Sequence, residues 1–195
     1  ICQPRAGRQG AVYDSHDLIT ISRHQAGRTL FPGTGFPDET GTGKGKGFSV
    51  NIPLPPGTDD KLYMRTFREI VLPSIETYKP DCFVMEIGAD ALADDPLAQL
   101  MLTNNTYADI IAELLKFDIP LLATGGGGYN FENTTQAWSL AWAVMCKDKN
   151  AEKKLREIIG EQGGKPNIKP SEMKIGEKIG PKKWAFFGEQ RRKKE

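Results

Sequence analysis

The sequence predicts an α/β fold in which a parallel sheet is flanked by helices. Short apolar stretches alternate with longer segments whose apolar residues recur at helical spacing, which is the order expected of a parallel sheet. Two of the apolar stretches end in glycine-rich or aspartate-rich turns, and ligands bind at the carboxyl ends of strands in such sheets. The 195 residues, 38% of them hydrophobic and 26% charged, are enough for one domain with its own core.

The first part of the chain is predicted to contain two extended segments and one helix. Leu18 to Ser22 is predicted as a strand. Gly27 to Gly47 is rich in glycine and proline and is predicted as a long structured loop, which in a compact domain usually has a function. Phe48 to Pro53 is predicted as a short extended segment. Helical spacing of apolar residues predicts a helix over Asp59 to Tyr78, which Pro73 is expected to end or kink.

The second part alternates strand and helix more regularly. Cys82 to Ile87 is predicted as a strand and Thr106 to Phe117 as a helix. Ile119 to Thr124 is predicted as the next strand, and Asn133 to Cys146 as a helix with a broad apolar surface. Ala151 to Ile159 is predicted as one exposed helix.

From Lys147 onward the composition changes, because lysine and glutamate dominate and glycine and proline interrupt any long helix. The closing run, Gln190 to Glu195, is basic. A solvated tail is the simplest interpretation of this run. Contact with an acidic partner is the alternative, as is a nuclear address if the source has a nucleus. Three aromatic residues predict that part of this region folds back on the domain: Trp184, Phe186 and Phe187.

Composition predicts a cytoplasmic protein that binds neither membranes nor nucleic acid directly. The net charge of +1 gives no general attraction to either. No apolar run approaches the roughly 20 residues of a spanning helix, and the start lacks the apolar core of a signal peptide. The three cysteines, Cys2, Cys82 and Cys146, show no metal-site spacing. The last two lie in apolar segments and are predicted to be buried, so a reducing compartment is expected.

A run of four glycines followed by Tyr129 comes directly after the strand predicted to end at Thr124. Such a run can neither continue a strand nor start a helix cheaply, so it indicates a sharp bend or a close approach to another group. It delivers a tyrosine to the carboxyl end of a strand, where its hydroxyl can donate to a developing oxyanion. A flexible glycine loop with a surface tyrosine is the alternative.

A second motif, Gly88 to Leu97, follows the strand predicted to end at Ile87 and holds Asp90, Asp94 and Asp95. Carboxylates at this spacing repel one another unless a cation lies among them, and carboxylate oxygens are zinc ligands. Ordinary capping of the following turn is the alternative. We favour capping for Asp94 and metal binding for Asp95.

These two motifs, together with Phe31 to Gly35 and Gly43 to Gly47, resemble the zinc-dependent histone deacetylase family in order and spacing. The resemblance runs from about Tyr13 to about Met145. Within the family the chain is most similar to prokaryotic acetoin-utilisation-type deacetylases. The resemblance implies an arginase-like α/β fold and hydrolysis of an N-acetylated amine to the amine and acetate. It divides the chain into an unmatched segment 1–10, the carboxyl-terminal part of a deacetylase domain at 11–147, and a charged extension at 148–195.

The resemblance also implies roles for individual residues of the catalytic centre. Asp95 falls on one of the family's zinc ligands. Tyr129 falls on the tyrosine that polarises the acetyl carbonyl and stabilises the oxyanion. Phe31 and Leu102 fall on apolar walls of the channel for the acyl-lysine stem. Gly127 falls on a glycine whose carbonyl faces the substrate.

A potassium site is a further implication of the resemblance. Ser22 and Arg23 fall on a strand end that supplies oxygens to potassium in the family. His24 also matches a family histidine, which is not a metal ligand.

Two histidine-containing motifs of the family have no match in this sequence. The family's other two zinc ligands come from an Asp-x-His motif, and a histidine pair acts as general base and acid. The chain has two histidines, His16 and His24. Asp14-Ser15-His16 spells Asp-x-His but lies close before the first strand, out of the family's context. We therefore expect an incomplete amino-terminal part, weak or absent zinc binding, and no turnover by the chain alone.

Two classes of function remain open. In the first, the chain is part of an enzyme that acts on acetyl-lysine or a small acetylated amine, with acetylpolyamine hydrolysis as the second choice, and a complementing amino-terminal chain would restore activity. In the second, it is a non-catalytic fragment or binding module that keeps the channel wall but holds no metal.

Overall fold

The computed structural model describes residues 8–31 and 33–162. The elements in chain order are α1 (Arg8–Ala11), β1 (Thr20–Gln25), β2 (Ser49–Leu54), α2 (Asp60–Thr66), α3 (Leu72–Tyr78), β3 (Phe83–Glu86), α4 (Asn104–Leu114), β4 (Leu121–Thr124), α5 (Phe131–Met145) and α6 (Lys149–Gln162). Trp184, Phe186, Phe187, the basic run from Gln190 and Cys2 lie outside the described residues, so the expectations for them stay predictions.

The strands pair in parallel, as the sequence predicts, and helices pack against them. β1 pairs with β2 from Thr20 opposite Ser49 to Gln25 opposite Leu54. β3 pairs with β4 from Phe83 opposite Leu121 to Glu86 opposite Thr124. In the described part of the chain these are two separate two-stranded ladders. The α/β class is confirmed.

β1 extends further than predicted, since it ends at Gln25 instead of Ser22. The apolar pattern stops at Ile21, but the next polar side chains remain inside. His24 is 1% exposed and Gln25 is 0% exposed. Each has internal hydrogen-bond partners, which allows a polar strand end to be buried. Hydrophobic periodicity does not detect this kind of strand.

The helix predicted over Asp59 to Tyr78 forms as α2 and α3 joined by a wide helical turn. Asp59 caps its start by accepting the Leu62 N–H at 3.0 Å. At the wide turn, the Leu72 N–H donates to the carbonyl of Phe67, five residues back. Pro73 lies in the first turn of α3, where its missing N–H is tolerated. The helix therefore continues to Tyr78 instead of ending at the proline.

The core lies where α4 and α5 pack on each other and on the odd-numbered side chains of β3 and β4. Its large, fully buried apolar side chains are Phe67, Leu100, Leu102, Ile111 and Leu140. Asn130 caps α5 by accepting the Asn133 N–H at 3.2 Å, so the helix begins at Phe131, before the predicted Asn133.

α6 is longer than predicted and is attached to α4. Arg156 of α6 donates to Asn105 at 2.7 Å and to Asp109 at 3.1 Å, and it also pairs with Glu152 on its own helix. The pKa of Glu152 is lowered by its hydrogen bond to Lys149 and by Arg156.

The prediction of buried cysteines is wrong for the two that the structure describes. Cys82 and Cys146 are exposed free thiols. Cys82 lies just before β3 begins and Cys146 just after α5 ends, where the chain has already left the core. In the described ranges, none of the helices combines the length and the apolar character that crossing a bilayer requires.

Candidate functional site

The site is built where the chain leaves β3 and β4, at their carboxyl ends. The Ile87 N–H donates to the Thr124 carbonyl at 2.9 Å, and the Ala89 N–H donates to the Gly127 carbonyl at 2.6 Å. The two strands therefore remain linked beyond the ladder. The two motifs that follow them lie side by side as a result.

Two glycines of the run, Gly126 and Gly128, are required by the close approach of neighbouring groups. A Cβ placed on Gly126 would lie 2.7 Å from the Gly88 Cα. Gly128 has a φ of 146°, and a Cβ there would lie 2.6 Å from the Thr134 hydroxyl oxygen. A side chain at either position would displace its neighbours. The alternative of a merely flexible glycine loop therefore does not hold at these two positions.

Asp95 joins the two motifs directly. Its Oδ1 accepts the N–H groups of Leu97 at 2.8 Å and Ala98 at 3.1 Å. Its Oδ2 accepts the Tyr129 N–H at 2.9 Å. The side chain is nearly buried, at 9% exposure for the residue. One carboxylate thus fixes its own turn and the end of the glycine run.

The capping role expected of Asp94 belongs to Asp95 instead. Asp94 has a φ of 64°, in the left-handed region, and it is the Asp95 carboxylate that accepts the N–H groups of the turn. The Asp94 carbonyl accepts a 3.4 Å bond from the Asn130 side chain, and the Ala93 carbonyl accepts one at 2.9 Å from Asn133. The start of α5 is thereby tied to the aspartate turn.

The residues predicted to line the substrate channel differ in their exposure to solvent. Tyr129 is 49% exposed, and Phe31, on the loop after β1, is 73% exposed. Leu102 is 1% exposed and lies in the core, bonded through its backbone to Ala91 and Ala93. Gly127 uses its carbonyl to accept the Ala89 N–H. The roles of Phe31, Leu102 and Gly127 as channel walls stay predictions.

Gln25, which is not among the candidate residues predicted from the sequence, connects the Phe31 loop to the Asp95 turn. Its Oε1 accepts the Gln99 N–H at 2.8 Å, and its Nε2 donates to the Thr29 carbonyl at 3.3 Å and hydroxyl at 3.1 Å. A glutamine at the end of an apolar strand was the available signal. The role of this glutamine can be recognised only when the positions of both loops are known.

Two aromatic side chains hold the end of β3. The Tyr107 hydroxyl donates to the Gly88 carbonyl, and the Trp138 indole N–H donates to the Ile87 carbonyl at 2.9 Å. Burial raises the pKa of Tyr107 well above its usual value, so the phenol is a hydrogen-bond donor at neutral pH. Both residues fix the surface on which Gly126 rests.

The residues of the proposed potassium site lie on β1. The Gly35 carbonyl can only accept, so His24 carries its proton on Nε2, 3.0 Å away, and its Nδ1 accepts from the Ser22 hydroxyl at 3.0 Å. Burial lowers the pKa of His24, in keeping with this neutral form.

Arg23 extends to the other face of β1. Its guanidinium lies 4.1 Å from the Tyr63 ring centroid and 5.1 Å from that of Phe67. Burial lowers its pKa. The side chain therefore packs as a partly buried cation against the rings of Tyr63 and Phe67.

Comparison with known proteins decides the family. The family model described as histone deacetylase domain matches residues 6–145. The chain belongs to the histone deacetylase family. Histone deacetylase 9 of Arabidopsis thaliana is 38% identical over 139 residues, which are 71% of this chain and 33% of that protein. Histone deacetylase 8 of Danio rerio is 33% identical over 158 residues, which are 80% of this chain and 42% of that protein.

A solved structure agrees with the histone deacetylase assignment. The crystal structure of the HDA15 HD domain matches with a TM-score of 0.69 and 26% identity, over 80% of this chain and 46% of that chain. This chain spans less than half the length of each of these three relatives. The family and the arginase-like fold expected from the motifs are confirmed. The finer likeness to prokaryotic acetoin-utilisation-type enzymes and the divisions at residues 10 and 147 stay predictions.

The residues of this histone deacetylase chain fit one zinc ligand, not a whole zinc site. Catalytic zinc usually has three protein ligands. Across residues 8–31 and 33–162, no three His, Cys, Asp or Glu side chains are grouped as a metal site. Asp95 has the right chemistry, as a nearly buried carboxylate held in place by backbone N–H groups. His16 is largely exposed and lies 3.9 Å from Asp17, with its ring against Phe48.

Proposed function

We propose that this chain forms the Tyr129 side of a deacetylase site that hydrolyses acetylated lysine, and that Asp95 supplies one ligand of its zinc. The observation that carries the proposal is the hydrogen bond from the Tyr129 N–H to the Asp95 carboxylate at 2.9 Å. It brings together the two residues to which the family resemblance gives a role in chemistry. Family membership supports the reaction class.

The tyrosine's part follows from its position. Tyr129 is half exposed, and its backbone N–H donates to the Asp95 carboxylate, so its side chain is accessible on a loop that Asp95 holds in place. The hydroxyl of such a side chain is a donor that stabilises the oxyanion that forms when water adds to an amide carbonyl. Zinc, when bound, supplies Lewis-acid polarisation and an activated water. Tyr129 binds no metal in this proposal.

The remaining ligands and the proton-transfer groups are proposed to lie on polypeptide outside this sequence. One carboxylate does not hold catalytic zinc firmly, since three ligands are usual. We therefore propose that the chain alone has weak or no zinc and no turnover. The same proposal includes three further points. Potassium binds near Ser22 and Arg23, the protein is cytoplasmic, and the substrate is a slender acetylated amine.

The test uses a form completed with the missing part of a deacetylase domain and an acetyl-lysine peptide as substrate. Tyr129→Phe should lower the rate about 100-fold or more and keep the zinc content, because it removes one oxyanion donor and no metal ligand. Asp95→Asn should remove zinc and activity together. Asp94→Asn is the matched control and should keep both, since it is the Asp95 carboxylate that accepts the N–H groups of the turn.

Two outcomes would contradict the proposal. One is chelator-sensitive turnover by the uncompleted chain, and the other is a completed Tyr129→Phe form as active as its parent. A completed form that folds and binds acetyl-lysine peptide without zinc or turnover would favour the binding-module alternative. Faster release of acetate from an acetylated polyamine than from the peptide would make the polyamine the substrate.

A further inference from the structure

The side-chain amide of Gln25 lies between two loops that lead to the site. Gln25 is fully buried at the end of β1. Its Oε1 accepts the Gln99 N–H at 2.8 Å, and its Nε2 donates to the carbonyl and the hydroxyl of Thr29, at 3.3 and 3.1 Å. Gln99 follows the turn that Asp95 begins, and Thr29 lies shortly before Phe31. One side chain is therefore bonded to both loops.

The two bonds require an acceptor and a donor on the same side chain. A backbone N–H can only donate, so the group that faces Gln99 is an oxygen. The Thr29 carbonyl can only accept, so the group that faces it carries a proton. A glutamine amide supplies both, whereas ionised glutamate lacks the donor, lysine lacks the acceptor and methionine lacks both. Because a buried group that loses its partner is costly, the amide holds the two loops at one spacing.

At one end, the bridge joins the turn that positions Asp95. This turn offers three successive N–H groups to side-chain acceptors: the first two bond to the Asp95 carboxylate, and the third, that of Gln99, bonds to Gln25. The Gln99 carbonyl accepts the Gly57 N–H at 2.7 Å, so Gln99 is held on both sides. The Asp95 carboxylate also accepts the Tyr129 N–H. This end of the bridge is therefore continuous with the residues proposed to carry the chemistry.

At the other end, the bridge joins the loop that carries Phe31. The Thr29 N–H and hydroxyl both donate to the Ala26 carbonyl, at 2.9 and 2.8 Å, so Thr29 belongs to a closed turn. A Cβ on Gly27 would lie 2.6 Å from the Thr34 carbonyl oxygen, so the two arms of the loop are in contact. Phe31 lies between these arms in sequence and is exposed. A shift at Thr29 is therefore expected to move Phe31 as well.

We propose that Gln25 is a positioning residue that sets the distance between Phe31 and the Asp95 turn, and thereby the thickness of the substrate stem that the site admits. Gln25 touches no substrate and acts through the two loops that it joins. While the bridge holds, a slender stem fits and a thicker stem is excluded. The inference rests on the proposed function for the acetylated amine as substrate and for Phe31 as a wall of its channel.

The first experiment measures the coupling of the two loops by hydrogen exchange in the full 195-residue chain. Gln25→Met removes both bonds, and exchange at the N–H groups of Thr29 and Gln99 should become about tenfold faster or more. Thr29→Val removes only the hydroxyl and should still speed exchange at Gln99, by about threefold, because the amide loses one of its anchors. Since Thr29 is exposed, this variant tests the bridge even if Gln25→Met does not fold. Arg28→Ala, an exposed neighbour in the same loop, is the matched control and should leave exchange at Gln99 unchanged.

The second experiment measures the selection of substrate by the completed form. Two peptides are compared that differ only in the acetylated residue, which is lysine in one and 4-(aminomethyl)phenylalanine, with a ring as its stem, in the other. The parent should bind the lysine peptide about tenfold more tightly or better, and Gln25→Met should reduce this ratio to about two or less. Thr29→Val should reduce it by about threefold.

Kinetics and a stability control separate positioning from a general loss of structure. In Gln25→Met the KM for the lysine peptide should rise with its dissociation constant, whereas kcat should change less than about threefold, because Asp95 and Tyr129 keep their bond. Thr106→Val removes a buried hydroxyl bond to Asp60, between α4 and α2, so it should lose a similar amount of stability. This control should keep the parent's ratio for the two peptides.

Four results would overturn the inference. They are exchange at Gln99 that Thr29→Val leaves unchanged, a Gln25→Met form with the parent's ratio, an equal loss of that ratio in Thr106→Val, and a completed parent that binds neither peptide. A completed parent that binds the peptides with the expected ratio, loses that ratio in Gln25→Met and releases no acetate would support the inference and refute the proposed function alone.

Discussion

Gly126→Ala tests whether the glycine run exists for close packing. The added Cβ would lie 2.7 Å from the Gly88 Cα and 2.9 Å from its N, both backbone atoms that are held by Tyr107 and by the strand end. Relief to an ordinary contact near 3.4 Å requires a movement of about 0.7 Å. Overpacking of this size costs about 1–3 kcal/mol. For a chain of this length, that lowers Tm by about 2–12 °C.

The neighbouring glycine provides a matched control. A Cβ on Gly125 would meet only Trp138 ring carbons, at 3.4 and 3.5 Å. Gly125→Ala should therefore be neutral or stabilising by up to about 1 kcal/mol, since alanine restricts the unfolded chain. Thermal and urea unfolding of both variants, followed by circular dichroism, measures the difference. Equal stability of the two alanine variants would refute the argument that the backbone contact requires glycine at 126.

Two further substitutions probe the residues that support the site. Gln25→Met removes the acceptor of the part-buried Gln99 N–H and should destabilise the protein by about 1–3 kcal/mol. Hydrogen exchange at Gln99 should accelerate, and unchanged exchange would contradict the bridging role. Tyr107→Phe should cost about 1 kcal/mol at neutral pH through the lost bond to Gly88. Burial raises the pKa of the folded phenol, whereas the unfolded phenol ionises near pH 10, so the parent should lose stability as the pH rises above about 10. The phenylalanine variant should lose less over that range in urea titrations, and parallel curves would count against the buried phenol.

The sequence predicts the parallel α/β class and the residues that meet at the strand ends, because both depend on local pattern. Alternating apolar segments locate β3, β4, α4 and α5, and the turns that follow the strands contain Asp95 and Tyr129. The carboxyl ends of parallel strands share an edge, so two motifs that follow neighbouring strands lie close together. The hydrogen bond between the Tyr129 N–H and the Asp95 carboxylate shows that the two motifs are in direct contact.

The features that pattern does not predict depend on partners distant in sequence. The buried end of β1 exists because Gln25 finds Gln99 and His24 finds Gly35. The helix that passes Pro73 contains a wide turn at Phe67–Val71, which propensity scales do not predict. Asp95 caps the turn in place of Asp94. The backbone at Asp94 is left-handed, which directs the Asp95 carboxylate toward the N–H groups of the turn that follows.

The double role of Asp95 determines how its substitution must be interpreted. Asparagine keeps one oxygen, which satisfies the N–H groups of Leu97 and Ala98, but its amide nitrogen then faces the Tyr129 N–H, and two donors repel. Asp95→Asn should therefore loosen the tyrosine loop even in a chain without metal. Loss of activity alone would not identify a zinc ligand. If Asp95 has only a structural role, Asp95→Asn should lower the zinc content and the stability of the metal-free chain in proportion. If Asp95 is a zinc ligand, the zinc content should fall much further than the loss of stability predicts.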